Sequence, residues 1–132
     1  MKPEIKKLWV EALRSGEYTQ GSMRLFNNES FCCLGVLCDL HAKETGGQWE
    51  DVDDVGKHYL GCDELLPEEV VIWSGIKADC PYVSVDILTP SEIIEHRKWA
   101  PGISLTALND GEQDGLKPRS FEEISNAIEK YL

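Results

Sequence analysis

Three of the five cysteines fall within the run Phe31-Cys32-Cys33-Leu34-Gly35-Val36-Leu37-Cys38-Asp39-Leu40. A thiol at a helix amino terminus sits in a positive field, which lowers its pKa and makes thiolate available. Cys32 and Cys33 hold that place if a helix opens here, so either is a candidate nucleophile. Gln20, upstream, could donate to an oxyanion. A nucleophile also needs a base, which should follow well downstream. His41 lies two turns along the same helix, His58 in an acidic loop and His96 on an expected helix, and none fits cleanly. The competing reading is burial. The run is the longest apolar one in the chain, and free cysteine is among the most buried residue types.

A second group could bind rather than react. Arg14, Tyr18, Gln20 and Arg24 cluster beside Gly16 and Gly21. Two guanidiniums and a glycine turn can cradle phosphate or carboxylate groups, so a small anionic ligand such as a nucleotide is the chemistry this segment suits.

The words Cys33-Leu34-Gly35-Val36 resemble the Cys-x-Gly-apolar start of the nucleophile helix in NlpC/P60 and related papain-like hydrolases. A cysteine hydrolase using Cys32 or Cys33 is the alternative that this resemblance implies. It covers four residues and lacks the usual Asp-Cys-Ser-Gly wording.

Metal sites are weaker. Cys38-x-x-His41 has half of a zinc spacing, which Cys32, Cys33, Cys62 and Cys80 could complete, but there is no Cys-x-x-Cys knuckle. Asp51-Val52-Asp53-Asp54-Val55-Gly56 imitates the start of a calcium loop. Its twelfth place is Cys62, so the closing carboxylate is missing. The expectation is no metal and no cofactor.

A chain of 132 residues suits a single domain, residues 1–132, with a core that needs no disulfide. An odd cysteine count with two adjacent points to reduced thiols, hence a cytoplasmic setting. The amino terminus leads into an amphipathic pattern rather than a signal region, so no export is expected. No apolar run approaches the ~20 residues of a membrane span. Net charge is −11. Residues 1–24 hold five basic side chains against three acids, so the remainder carries −13. That balance argues against a nucleic-acid partner, which needs a positive footprint. It suits a basic host protein, and a homo-oligomer is compatible with it.

Positioning these residues needs an α+β arrangement, helix-rich with a small antiparallel sheet. The spacing predicts a helix over 3–15, with Ile5, Leu8, Trp9, Ala12 and Leu13 on one face and Gly16 as its stop. Residues 23–27 read as a weak strand that Phe31-Cys32 could rejoin as a hairpin. A helix is expected from Cys33 to about Glu44, apolar around most of its surface and therefore central. Gly35 within it costs ~1 kcal/mol relative to alanine, which points to close packing of another backbone. Residues 44–69 hold nine acids against Lys57 alone, with no element assigned before Pro67. A short helix follows Pro67, a strand covers 82–87, and Thr89 with Glu92 opens a helix to about Lys98, broken at 99–102. A helical turn over 104–109, a polar loop over 111–118 and a capped helix from Ser120 complete the chain. Pro3-Glu4…Trp9 and Pro67-Glu68…Trp73 share a spacing that two helices built by the same rules also give.

The order of segments resembles a family of small proteins of tailed phages and prophages. The wording that carries it is Trp9…Ala12-Leu13-Arg14-Ser15-Gly16…Tyr18…Gln20-Gly21, then Phe31-Cys32-Cys33-Leu34-Gly35-Val36-Leu37-Cys38-Asp39, then Leu66-Pro67…Val70…Trp73-Ser74-Gly75. It ends in Leu105…Leu108-Asn109-Asp110…Ser120-Phe121…Ile124…Ile128-Glu129. The resemblance implies a setting, the infected cell, and no mechanism. Small phage accessory proteins often interfere with host functions, antiviral defence included. The function expected is therefore that of a non-catalytic binding protein that blocks a host protein or sequesters a small anionic signal.

Overall fold

Helix α1 covers Pro3–Arg14, with proline in its first turn and Glu4 where the dipole favours an acid. It buries Ile5, Trp9, Val10 and Leu13. Leu8, expected on that face, is 44% exposed. The buried stripe turns instead toward Val10, because α1 packs against two helices, α2 (Cys33–Thr45) and α6 (Phe121–Tyr131). The indole N–H of Trp9, itself fully buried, donates to the Cys33 carbonyl at 2.9 Å and pins α1 to the start of α2.

A computed structural model describes residues 1–52, 54, 56–96, 102–112 and 115–132, with the backbone alone at 94–96. The end of the helix expected to reach Lys98, the break at Trp99-Ala100-Pro101 and part of the 111–118 loop lie outside the described residues.

Helix α2 is the centre of the fold. Every residue from Cys33 to Cys38 is buried, and Gly46 ends the helix in the left-handed conformation. Before it, β1 (Phe26–Asn27) and β2 (Ser30–Phe31) form the expected hairpin. Its two-residue turn, Asn28-Glu29, has positive φ at both positions, the primed-turn geometry that matches strand twist. The strand is shorter than the 23–27 pattern suggests, since Met23 also has positive φ and cannot continue it.

Residues 44–69 hold a second hairpin that periodicity did not reveal: β3 (Trp49–Asp51) and β4 (Gly56–Tyr59). The four strands make one antiparallel sheet in the order β2-β1-β4-β3. The register sets Phe26 opposite both Phe31 and Lys57, and Trp49 opposite Tyr59, so one face is aromatic. The rings of Phe26 and Phe31 are 4.7 Å apart, and those of Trp49 and Tyr59 4.9 Å. That face meets α2 through Asp39, which accepts from the Tyr18 hydroxyl at 2.6 Å and the Trp49 indole at 3.1 Å.

Helix α3 (Glu68–Ser74) follows Pro67 and ends at Gly75. Strand β5 (Tyr82–Ser84) is half the length expected. Ser84 then caps a 3-10 turn over Val85–Ile87 by accepting the Asp86 N–H at 3.2 Å. Helix α4 is Pro90–His96. Strand β6 (Gly102–Ser104), which periodicity did not mark, pairs antiparallel with β5. Helix α5 (Leu105–Asp110) is capped by Ser104, and α6 opens on the expected capping box of Ser120 and Glu123. The whole is a single compact α+β domain, helix-rich, with a small antiparallel sheet and one hydrophobic core centred on α2. No helix among the described residues is long and apolar enough to cross a membrane.

Candidate functional site

The reactive-thiol reading depends on exposure, and both candidate thiols are buried. Cys32 is the N-cap of α2, and its Sγ accepts the Gly35 N–H at 3.4 Å. It is 4% exposed, and Cys33 is fully buried with its Sγ 3.7 Å from the Leu105 carbonyl. Burial pushes the Cys32 thiol up to about 11, and the Gly35 and Leu34 N–H groups offset this only in part. Burial raises Cys33 and Cys38 well above the ordinary thiol range. The helix-terminus field is present, but desolvation outweighs it.

The histidines stand elsewhere. Nδ1 of His41 is 2.6 Å from the Tyr59 hydroxyl, and burial lowers its pKa. Nε2 of His58 lies 3.9 Å from Asp63. The His96 side chain lies outside the described residues. At neutral pH a thiol with a pKa near 11 is ionised in only ~1 molecule in 10,000, against a few per cent for a free cysteine. Iodoacetamide at pH 7 is therefore expected to label the half-exposed Cys62 and Cys80 while Cys32, Cys33 and Cys38 react only in denaturant. Peptide mapping by mass spectrometry reads this out, and rapid native labelling of Cys32 or Cys33 would restore the hydrolase reading.

The four proposed binding residues go to different places. Arg14 clamps α1 onto α6. Its Nε donates to Ser125 Oγ at 2.9 Å, Nη2 to Asn126 Oδ1 at 2.6 Å and Nη1 to Glu129 Oε2 at 3.2 Å. The Tyr18 hydroxyl bonds to Asp39 and accepts from Lys43 Nζ at 3.0 Å, and its ring packs edge-on against Phe31. Arg24 runs along β4, where a methyl added at Gly56 would meet its Nη1 at 2.8 Å. The two guanidiniums do not converge on one pocket.

Gln20 belongs to a polar hub that sequence spacing did not suggest. Its Nε2 donates to Asn109 Oδ1 at 3.1 Å and to the Arg119 carbonyl at 2.8 Å, and its Oε1 accepts the Phe121 N–H at 3.1 Å. Asn109 also accepts the Cys33 N–H at 3.1 Å, one of the orphan donors at the start of α2, and donates to the Gly21 carbonyl at 2.8 Å. Arg119 makes two bonds to Glu92 of α4, at 2.6 and 3.1 Å. These side chains and amides satisfy one another where four segments meet. Spacing did not single out Asn109 or Arg119, and it gave Glu92 only a capping role. The signal present was an Asn-Asp pair at a helix end and an arginine directly before a capping box.

The acidic segment is the surface feature that remains. Glu44, Glu50, Asp51, Asp54, Glu64, Glu68 and Glu69 are exposed, and Lys57 is 3.7 Å from Asp51. Exposed apolar side chains stand among them, Val52 at 53%, Leu65 at 40% and Ile72 at 68%. Asp53 and Val55 of the calcium-like string lie outside the described residues. Among the described residues, no group of three or more His, Cys, Asp or Glu side chains is placed to hold a metal ion.

The model of a domain of unknown function, DUF8296, matches residues 1–132. No curated protein and no solved structure matches the chain.

Proposed function

The chain belongs to the DUF8296 family, and we propose, from the phage-type wording and the acidic surface, that it is a phage or prophage accessory protein that works in the host cytoplasm by binding, without catalysis. Its target is a basic surface of a host protein, and interference with antiviral defence is the setting that fits best. The observation that carries this is the exposed acidic run over residues 44–69, which also holds exposed Val52 and Leu65 and is followed on α3 by exposed Ile72. Carboxylates around an apolar contact give orientation and fast association with a cationic partner, and the apolar side chains supply the desolvated centre.

A second reading, sequestration of a small anionic ligand, rests on one feature. The cleft between α1 and α6 is lined by Lys6, Lys7 and Arg14 together with Glu11 and Glu129. Arg14 already carries three bonds to its own chain there, which favours the protein-partner reading.

The test is retention from host extract on immobilised protein, native against Glu64→Lys/Glu68→Lys, at physiological salt. A basic protein held by the native form and lost from the variant is the expected result. In parallel, nucleotides are screened by thermal melting. A ligand at ~100 times its dissociation constant adds ~2.7 kcal/mol, so a nucleotide-specific rise in melting temperature would replace the protein-blocking reading with sequestration.

A further inference from the structure

One cleft on the acidic side is built from both features that the proposed partner requires. It lies between the loop that carries Met23 and the loop that carries Glu64 and Leu65. The two walls are tied by the Leu25 N–H, which donates to the Asp63 carbonyl at 2.6 Å. Cys32, Thr106 and Asp110 line it together with Glu64. The lining thus comes from the start of α2, from α5 and from two pinned loops.

Met23 is the unusual residue. Its φ is +73° although it is not glycine, and it is 68% exposed. Among the described residues the other positive-φ side chains, Asn28, Glu29 and Leu60, stand in the turns after β1 and β4, as Met23 stands at a bend before β1. A left-handed backbone costs free energy for any residue with a Cβ. Here that conformation holds an unbranched, adaptable apolar side chain largely out in water. Leu65, which also lines the cleft, is 40% exposed, so the lining carries two exposed apolar side chains and the carboxylates of Glu64 and Asp110.

The volume is about 170 Å³, below the ~300–1,000 Å³ of small-molecule sites, so one side chain fits and a nucleotide does not. Long cationic side chains have this two-part character, an apolar stem and a charged head. We propose that the Met23–Leu65 cleft is a socket for a single lysine or arginine side chain of the partner protein, its stem between Met23 and Leu65 and its cation between Glu64 and Asp110. The inference rests on the reading of a basic protein partner and assigns that partner's anchoring residue.

The probe is acetylated pentalysine, titrated into isotopically labelled protein at about 150 mM salt, where exposed charge–charge attraction is largely screened. Acetylated pentaglutamate is the control. Saturable amide shifts at Met23, Leu65 and Thr106 with the cationic peptide alone are the expected result. Met23→Gly removes the wall while relieving the backbone, so its melting temperature should equal or exceed the native value while affinity falls by about tenfold. Glu64→Lys should weaken binding to a similar degree. Shifts confined to residues 49–59 and 68–72, or unchanged affinity in both variants, would overturn the socket and leave the acidic-surface reading standing. No shift anywhere would remove both.

Discussion

Gly35→Ala is expected to be the most destabilising single-methyl addition in this protein. A Cβ at position 35 would lie 1.8 Å from the Leu25 carbonyl oxygen, 2.7 Å from its carbon and 3.1 Å from its Cα. All three are backbone atoms, so no rotamer change relieves the clash. Leu25 cannot retreat easily, because it is fully buried and its N–H is bonded to the Asp63 carbonyl. Nor can α2 tilt away, since Cys33 to Cys38 are buried on every side. Alanine gains ~1 kcal/mol over glycine in a helix interior, and the overlap acts against it with at least ~3 kcal/mol, so the clash decides the sign. That loss is a large share of the ~5–15 kcal/mol that holds a domain together. Gly46→Ala is the control. Gly46 also serves α2, but at φ +77° with nothing within 4 Å of an added Cβ, so its cost is backbone strain of ~1–2 kcal/mol alone. Urea midpoints at unchanged slope should therefore rank Gly35→Ala far below Gly46→Ala. Equal losses would mean that α2 does not approach residue 25 as closely as the structure has it.

That close approach was legible in the sequence, because a glycine inside an otherwise apolar helix costs stability unless another backbone comes close enough to need the missing side chain. The helices were legible for a related reason: their start signals are local, a proline before or at the first turn in α1 and α3 and a capping box in α6 at Ser120 and Glu123. The β3–β4 hairpin was not. Its strands are three and four residues long, and the aromatic face that stabilises them exists only after Phe26, Phe31, Trp49 and Tyr59 are paired across the sheet. Local alternation cannot report a non-local pairing. The hub around Gln20 was hidden in the same way, since its partners lie 89 to 101 residues downstream. With Cys32, only one of two opposing effects was visible. The helix-terminus field can be read from spacing, whereas the depth of burial that overrides it depends on how distant segments pack around the thiol.

The second large effect is expected at the Glu92–Arg119 pair, where the sign depends on which partner is removed and at what pH. Both side chains are buried, 6% and 9% exposed, and joined by two bonds. Glu92 also accepts the Thr89 N–H and hydroxyl and the Lys117 N–H, while Arg119 donates to the Lys117 carbonyl. Arg119 holds the Glu92 carboxyl down to about 2, with the Thr89 and Lys117 donors adding to it and burial opposing. A carboxyl whose folded pKa lies below its unfolded value, ~4.3, contributes stability that is complete above about pH 5 and is lost as pH falls toward 2. Arg119→Met leaves a buried carboxylate without its counter-charge, which should cost ~3–5 kcal/mol at pH 7. Protonation of Glu92 relieves that penalty, so the deficit of Arg119→Met relative to native should shrink between pH 7 and pH 3. Glu92→Gln strands the guanidinium instead. Arginine does not lose its proton in this range, so the variant stays impaired at both pH values. Glu92→Met/Arg119→Met removes both charges together and should be less damaged at pH 7 than Arg119→Met. Urea unfolding of the four proteins at pH 7 and pH 3 decides the matter. An Arg119→Met deficit that is the same at both pH values would show that the guanidinium contributes packing around the Asn109–Gln20 hub, and not the charge that holds Glu92 ionised.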